Sequence, residues 1–267
     1  LAAGAVGAET ADGVCPTAGM VGTEAADAFC LRPGEPDALL AGHPWRRFAV
    51  LGDSIAEGVA DTVPGYSALP FADRVAAELA RVHPIAYLNL GRRGLRAHEV
   101  RAGQLAAALG FAPDLALVAC GANDALRPGY EARADAVDTE IAGLIKALQD
   151  CGALVMTVSI FVRPAYPSLP TWLRPTGTER MATLGARTTA LAAKLGTVHI
   201  DLTRHPIADS MDSTSADGLH GNARAQSVAA AEAVRALGRT LRPEPVPMPV
   251  PASAPELPHD PKDPRCP

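Results

Sequence analysis

A mainly parallel sheet with helices covering both of its faces, an α/β domain, is what this sequence predicts. Short apolar runs alternate five times with stretches whose apolar residues recur at helical spacing, the order that parallel strands joined by helical crossovers require. The first three runs stop at clusters containing Gly, Asp or Asn, and Asp217-Gly218 follows the fifth, so polar groups collect where strands end.

Residues 1 to about 43 contain Gly, Ala, Thr and Pro without a sustained period and read as an N-terminal extension. The domain is expected to start near Pro44, and Phe48 to Leu51 forms a buried strand halted by Gly52-Asp53-Ser54. Ser67 to Val82 sets Leu69, Ala72, Val75, Ala76, Leu79 and Val82 on one helical face. Ile85 to Leu90 is the second strand. Gly91-Arg92-Arg93-Gly94 breaks it, and a helix runs on to about Leu109.

Asp114 to Ala119 is the third strand, closed by Cys120-Gly121-Ala122-Asn123-Asp124. Ala132 to Asp150 is a helix with Gly152 just past its end. Leu154 to Ile160 makes the fourth strand, followed by a Pro- and aromatic-bearing loop from Phe161 to Thr176 and a helix to about Leu195. Val198 to Leu202 is the fifth strand, and Asn222 to about Leu241 the last helix. The tail after Arg242, residues 243–267, carries ten of the 24 prolines and reads as an extended arm.

Bulk properties narrow the function. With 24 basic and 29 acidic residues intermixed and a net charge of -5, the chain lacks the basic bias of a nucleic-acid binder. No apolar run approaches the roughly 18 residues of a membrane span. Leu1 to Ala8 lacks a basic region and is not an intact signal peptide, so the expectation is a cytoplasmic protein, with export as the alternative. Among the five cysteines there is no C-x-x-C pair and no zinc-ligand spacing. Cys15 and Cys30 either pair, in an exported chain, or are two free thiols.

Four of the strand-end clusters fall on one edge of the expected sheet: Ser54, Gly94, Asn123 and Asp217-Gly218-Leu219-His220. Acyl transfer needs these residue types. A serine hydroxyl attacks only when an imidazole takes its proton, and the imidazole needs a carboxylate to fix its tautomer. Asp217 and His220 stand three residues apart, within reach of each other. The backbone N–H groups of Ser54 and Gly94 and the amide of Asn123 could supply three oxyanion donors. The chain has only three asparagines, Asn89, Asn123 and Asn222, which makes one inside the third cluster informative. No G-x-S-x-G, P-loop or H-E-x-x-H motif is present, and no metal or organic cofactor is required.

These clusters resemble the blocks of the SGNH (GDSL) hydrolase superfamily, from about Arg47 to Leu241. The first matches Gly52-Asp53-Ser54-Ile55, with Ile where the family usually has Leu. The others match Asn89-Leu90-Gly91-Arg92-Arg93-Gly94, Gly121-Ala122-Asn123-Asp124 and Asp217-Gly218-Leu219-His220. The resemblance implies a flavodoxin-like three-layer α/β/α fold and a serine esterase or lipase acting on small-molecule esters. It also implies Ser54 as nucleophile, Asp217 and His220 as orienter and base, and Gly94 and Asn123 in the oxyanion hole. Three alternatives stay open: an acyltransferase using the same site, a flavodoxin-like cofactor binder that would leave Asp217 and His220 idle, and a non-catalytic binding module with a vestigial site.

For the substrate, Arg92, Arg93, Arg163 and Trp172, with Tyr166 and Arg174, are expected to form a partly aromatic, cationic wall for an acyl or alcohol group bearing a carboxylate or phosphate. The alternative is that these arginines are solvated or pair with nearby acids such as Glu99.

Overall fold

The computed structural model describes residues 22–242. The expectations for the Pro-rich tail, the first residues and the Cys15–Cys30 pairing fall on residues outside that span. Cys30 itself is buried.

Two short helices lead in, α1 (Gly22–Ala26) and α2 (Glu35–Leu39), and the alternation follows: β1 (Arg47–Gly52), α3 (Ser54–Glu57), α4 (Phe71–Val82), β2 (Ala86–Asn89), α5 (Ala97–Phe111), β3 (Leu115–Ala119) and α6 (Ala122–Ala125). After these come α7 (Ala134–Asp150), β4 (Leu154–Ser159), α8 (Arg174–Leu195), β5 (Val198–Asp201) and α9 (Ala223–Leu241). The five strands form one sheet in the order β2-β1-β3-β4-β5, and every pairing is parallel.

Strand periodicity divides the core in two. Phe48, Val50, Leu115, Leu117 and Met156 face α4 and α9, whereas Ala49, Leu51, Ala116, Val118 and Val155 face α5, α7 and α8. The result is the three-layer arrangement expected. Because the order turns back at β1, the carboxyl ends of β1 and β3 diverge into helices on opposite faces. That divergence is where such sheets bind ligands.

The helix expected from Ser67 begins at Phe71, with Pro70 as its N-cap. Proline disfavours helical backbone in the residue before it, which removes Leu69 from the helix. Leu69 instead turns its carbonyl to Arg74 Nε at 2.7 Å. Two single-turn helices, α3 and α6, fall inside the polar clusters that end β1 and β3.

Residues 22–43, ahead of Pro44, pack along α4 and α9. Glu24 forms a buried ion pair with Arg74 and accepts the Ser67 N–H at 2.8 Å. Asp27 accepts from Arg224 Nε and from the Tyr66 hydroxyl, both at 2.7 Å. Arg235 reaches Glu35 at 2.7 Å.

Candidate active site

The loop carrying Ser54 is fixed by the way β1 ends. At Gly52 a Cβ atom would lie 2.0 Å from the Ala119 carbonyl oxygen, so the position admits only glycine. The buried Gln104 side chain on α5 clamps that end, accepting the Gly52 N–H and donating to its carbonyl, both at 2.8 Å. Asp53 caps α3 by accepting the Ile55 N–H at 3.0 Å. Its carboxyl is fully buried, and burial, with the charge of Asp124 acting the same way, pushes it up to about 7. Ser54 follows as the first residue of α3.

Asp217 and His220 come from the loop before α9. Ser54 Oγ lies 2.8 Å from His220 Nε2, and His220 Nδ1 lies 2.5 Å from Asp217 Oδ2. The other carboxylate oxygen, Asp217 Oδ1, accepts the backbone N–H groups of Leu219 and His220, each at 2.9 Å. Burial pulls the Asp217 carboxyl upward, but the imidazole and the two N–H bonds outweigh it, and it ends below the ordinary carboxylate value. Serine, histidine and aspartate thus form one continuous hydrogen-bonded chain.

Asn123 stands in α6 and donates from Nδ2 to the Leu95 carbonyl at 3.0 Å, which leaves its second amide hydrogen for another acceptor. Gly94 has φ +81°, and a Cβ there would meet nothing within 4 Å, so the backbone turn rather than crowding calls for glycine. Asn89 braces the same loop, donating to the Ala56 carbonyl at 2.9 Å and accepting the Gly91 N–H at 2.8 Å. Among the described residues no group of three or more His, Cys, Asp or Glu side chains could hold a metal ion.

Matching over residues 50–228, the chain fits the model of the GDSL-like lipase/acylhydrolase family. The chain belongs to that family. Membership makes it a carboxylic ester hydrolase, an enzyme class that acts on small-molecule esters. Its fold is similar to that of an acetylxylan esterase mutant from Geobacillus stearothermophilus, at TM-score 0.58 and 15% identity over 72% of this chain and 94% of that one. The lipase/acylhydrolase from Enterococcus faecalis gives 0.57 at 22% identity, covering 75% and 100% of the two chains. The esterase EstA from Pseudoalteromonas sp. gives 0.55 at 18%, covering 73% and 98%. No curated protein matches the chain.

The GDSL site draws on residues that sequence reading passed over. Asp61, in the loop after α3, holds the base loop three times: its N–H donates to Ser215 Oγ at 2.9 Å, its carboxylate accepts the Ala216 N–H at 2.6 Å, and its carbonyl accepts the Ala223 N–H at 2.8 Å. Asn222 caps α9 and donates to the Asp212 carbonyl at 2.7 Å. An acid followed by turn residues was the only local hint of Asp61, since its partners lie some 155 residues away.

Of the residues expected to meet substrate, Arg92 is exposed. Arg93 is held by Glu57 through Nη2 at 2.7 Å and Nε at 2.9 Å, so its charge is engaged by an acid. Trp172 is 58% exposed. Tyr166 is buried and accepts the Arg163 N–H at 3.2 Å, which turns it away from solvent. Arg174 is exposed and donates to the Leu169 carbonyl at 2.7 Å. Arg163 is buried, donating to the Ser213 carbonyl at 3.1 Å and to the Thr214 hydroxyl. The expected wall is therefore divided between exposed and buried residues.

Proposed function

We propose that the protein hydrolyses carboxylic esters through an acyl-enzyme formed on Ser54. The observation that carries this reading is the unbroken chain from Ser54 Oγ through the His220 imidazole to Asp217, at 2.8 and 2.5 Å. Asp217 accepts the Nδ1 proton, which leaves the Nε2 lone pair facing the serine. As Ser54 Oγ attacks the ester carbonyl, His220 takes its proton. The oxyanion is met by the N–H groups of Ser54 and Gly94 and by the remaining Asn123 amide hydrogen. His220 then gives the proton to the departing alcohol. Water attacks the acyl-serine with His220 again as base, releasing the acid and restoring the serine.

An alcohol in place of water would give transfer, because the acyl-enzyme is common to both outcomes. Product analysis with added alcohol measures that partition.

Ser54→Ala is expected to lower kcat on an activated ester by on the order of 10³-fold or more while the fold persists. A fluorophosphonate should label Ser54 in the wild type and leave the variant unlabelled. Label on another serine would overturn the assignment.

A further inference from the structure

Beside Ser54 lies a pocket, open to solvent, between α3, β4 and α9. Ile55, which follows Ser54, and Leu219, which precedes His220, both line it, so it starts next to the two groups that would handle the acyl carbon. Its walls are largely apolar, with Val158 from β4 and Ala225 from α9 among them. Arg163 is the one charged residue that lines it among the described residues.

That guanidinium is unusual in this molecule. It is 4% exposed, and its bonds go only to neutral acceptors: the Ser213 carbonyl at 3.1 Å, the Ser213 hydroxyl at 3.4 Å and the Thr214 hydroxyl. No carboxylate lies within ion-pair distance of it among the described residues. By contrast, Arg224 pairs with Asp27 and Asp212, and Arg235 with Glu35 and Glu232. The acid whose charge reaches Arg163 is Asp217, and its oxygens are already taken by His220 and Leu219. A buried cation without a counter-ion is costly. Burial here pulls the Arg163 guanidinium below its ordinary value.

We infer that this cavity receives the acyl half of the ester and favours an acyl chain ending in a carboxylate, such as the monoester of a short dicarboxylic acid. The methylenes lie against the apolar wall, and the distal carboxylate supplies the partner that Arg163 lacks, in the two-pronged geometry that guanidinium groups favour. The inference rests on Ser54 as the nucleophile.

The test compares kcat/KM for the 4-nitrophenyl esters of acetate, butyrate and hemisuccinate, with Ser54→Ala as the background for each. Hemisuccinate and butyrate are of equal length and differ in the terminal charge. The wild type is expected to prefer hemisuccinate by about tenfold or more, the scale of a hydrogen bond to a charged group. Arg163→Met should abolish the preference and Arg163→Lys should keep part of it. Arg163 also braces the loop at Ser213 and Thr214, so the readout is the ratio of the two esters within each variant, which cancels a general loss of rate. Ala225→Leu, which fills the cavity without touching the charge, should lower both four-carbon esters relative to acetate. A ratio near one in the wild type, or a preference that survives Arg163→Met, overturns the inference while Ser54 stands. Acetate or butyrate turnover in Ser54→Ala well above the enzyme-free rate overturns the nucleophile assignment, and this inference with it.

Discussion

Ser54 and His220 meet at 2.8 Å, but the two regions that bring them together are held by different forces. The nucleophile loop is an outgrowth of the core. β1 is paired on both sides, Gly52 touches β3, and the clamp from Gln104 is buried. The loop carrying Asp217 and His220 is held by hydrogen bonds from three separate parts of the chain: the exposed Asp61 and the buried Asn222 and Arg163. Packing fixes the first as a consequence of folding. In the second, position depends on separate polar bonds, and the one from Asp61 is exposed, so its loss is expected to cost the fold little. Damage to the first region should therefore appear as lost stability, and damage to the second as lost rate.

The first region is tested at Gln104. Gln104→Ala leaves the Gly52 N–H buried without an acceptor and removes packing from α5, so thermal or urea unfolding should show a loss of about 1–3 kcal/mol. A melting temperature equal to wild type would place the nucleophile loop under the same regime as the base loop.

Asp61→Ala should do the converse. It deletes the acceptor for Ala216 at an exposed position, so the melting temperature should barely move while kcat falls by about tenfold, the scale of one hydrogen bond near the reacting groups. Asp61→Asn keeps an acceptor oxygen and should recover most of the rate. Equal rates in Asp61→Ala and wild type would show that the base loop holds its place without this clamp.

The third effect depends on pH. Asp53 ionises near its ordinary value of 3.8 when unfolded, but burial raises it to about 7 in the folded protein. Between those values the folded state binds the extra proton, so this group's contribution to stability falls as pH rises from about 4 to about 7. Asp53→Asn has no such loss and can still cap α3 with its amide oxygen. Its stability relative to wild type should climb across that window and level off above it. A difference independent of pH would mean that Asp53 is not buried as described.

What could be read from the sequence follows the range of the signal. Strands show as local runs, and Ser54, Asn123 and the Asp217/His220 pair were marked by the clusters that end them. The start of α4 was misplaced because the apolar period continues through Leu69, and the backbone restriction imposed by Pro70 overrides it. Gln104 and Asp61 were invisible for another reason. Each acts on a backbone group 52 or about 155 residues distant, and nothing near either one in sequence announces the partner. Arg163 was noticed as a charge, but its direction was not legible, because whether a loop arginine faces water or the interior is decided by the tertiary fold.

The order of the strands also bears on how the protein is made. β1 needs β3 to complete its pairing, and Gly52 meets Ala119, so the loop carrying Ser54 can take its shape once the chain has been made through Ala119. His220 arrives 166 residues after Ser54. At the usual rate of about 5–20 residues per second, the growing chain carries its serine for roughly ten to thirty seconds before a base exists to activate it. Asp61 waits as long for the loop it will hold. On the proposed reading, Ser54 gains its base only after all five strands have been made, since β5 ends at Asp201 and His220 follows it.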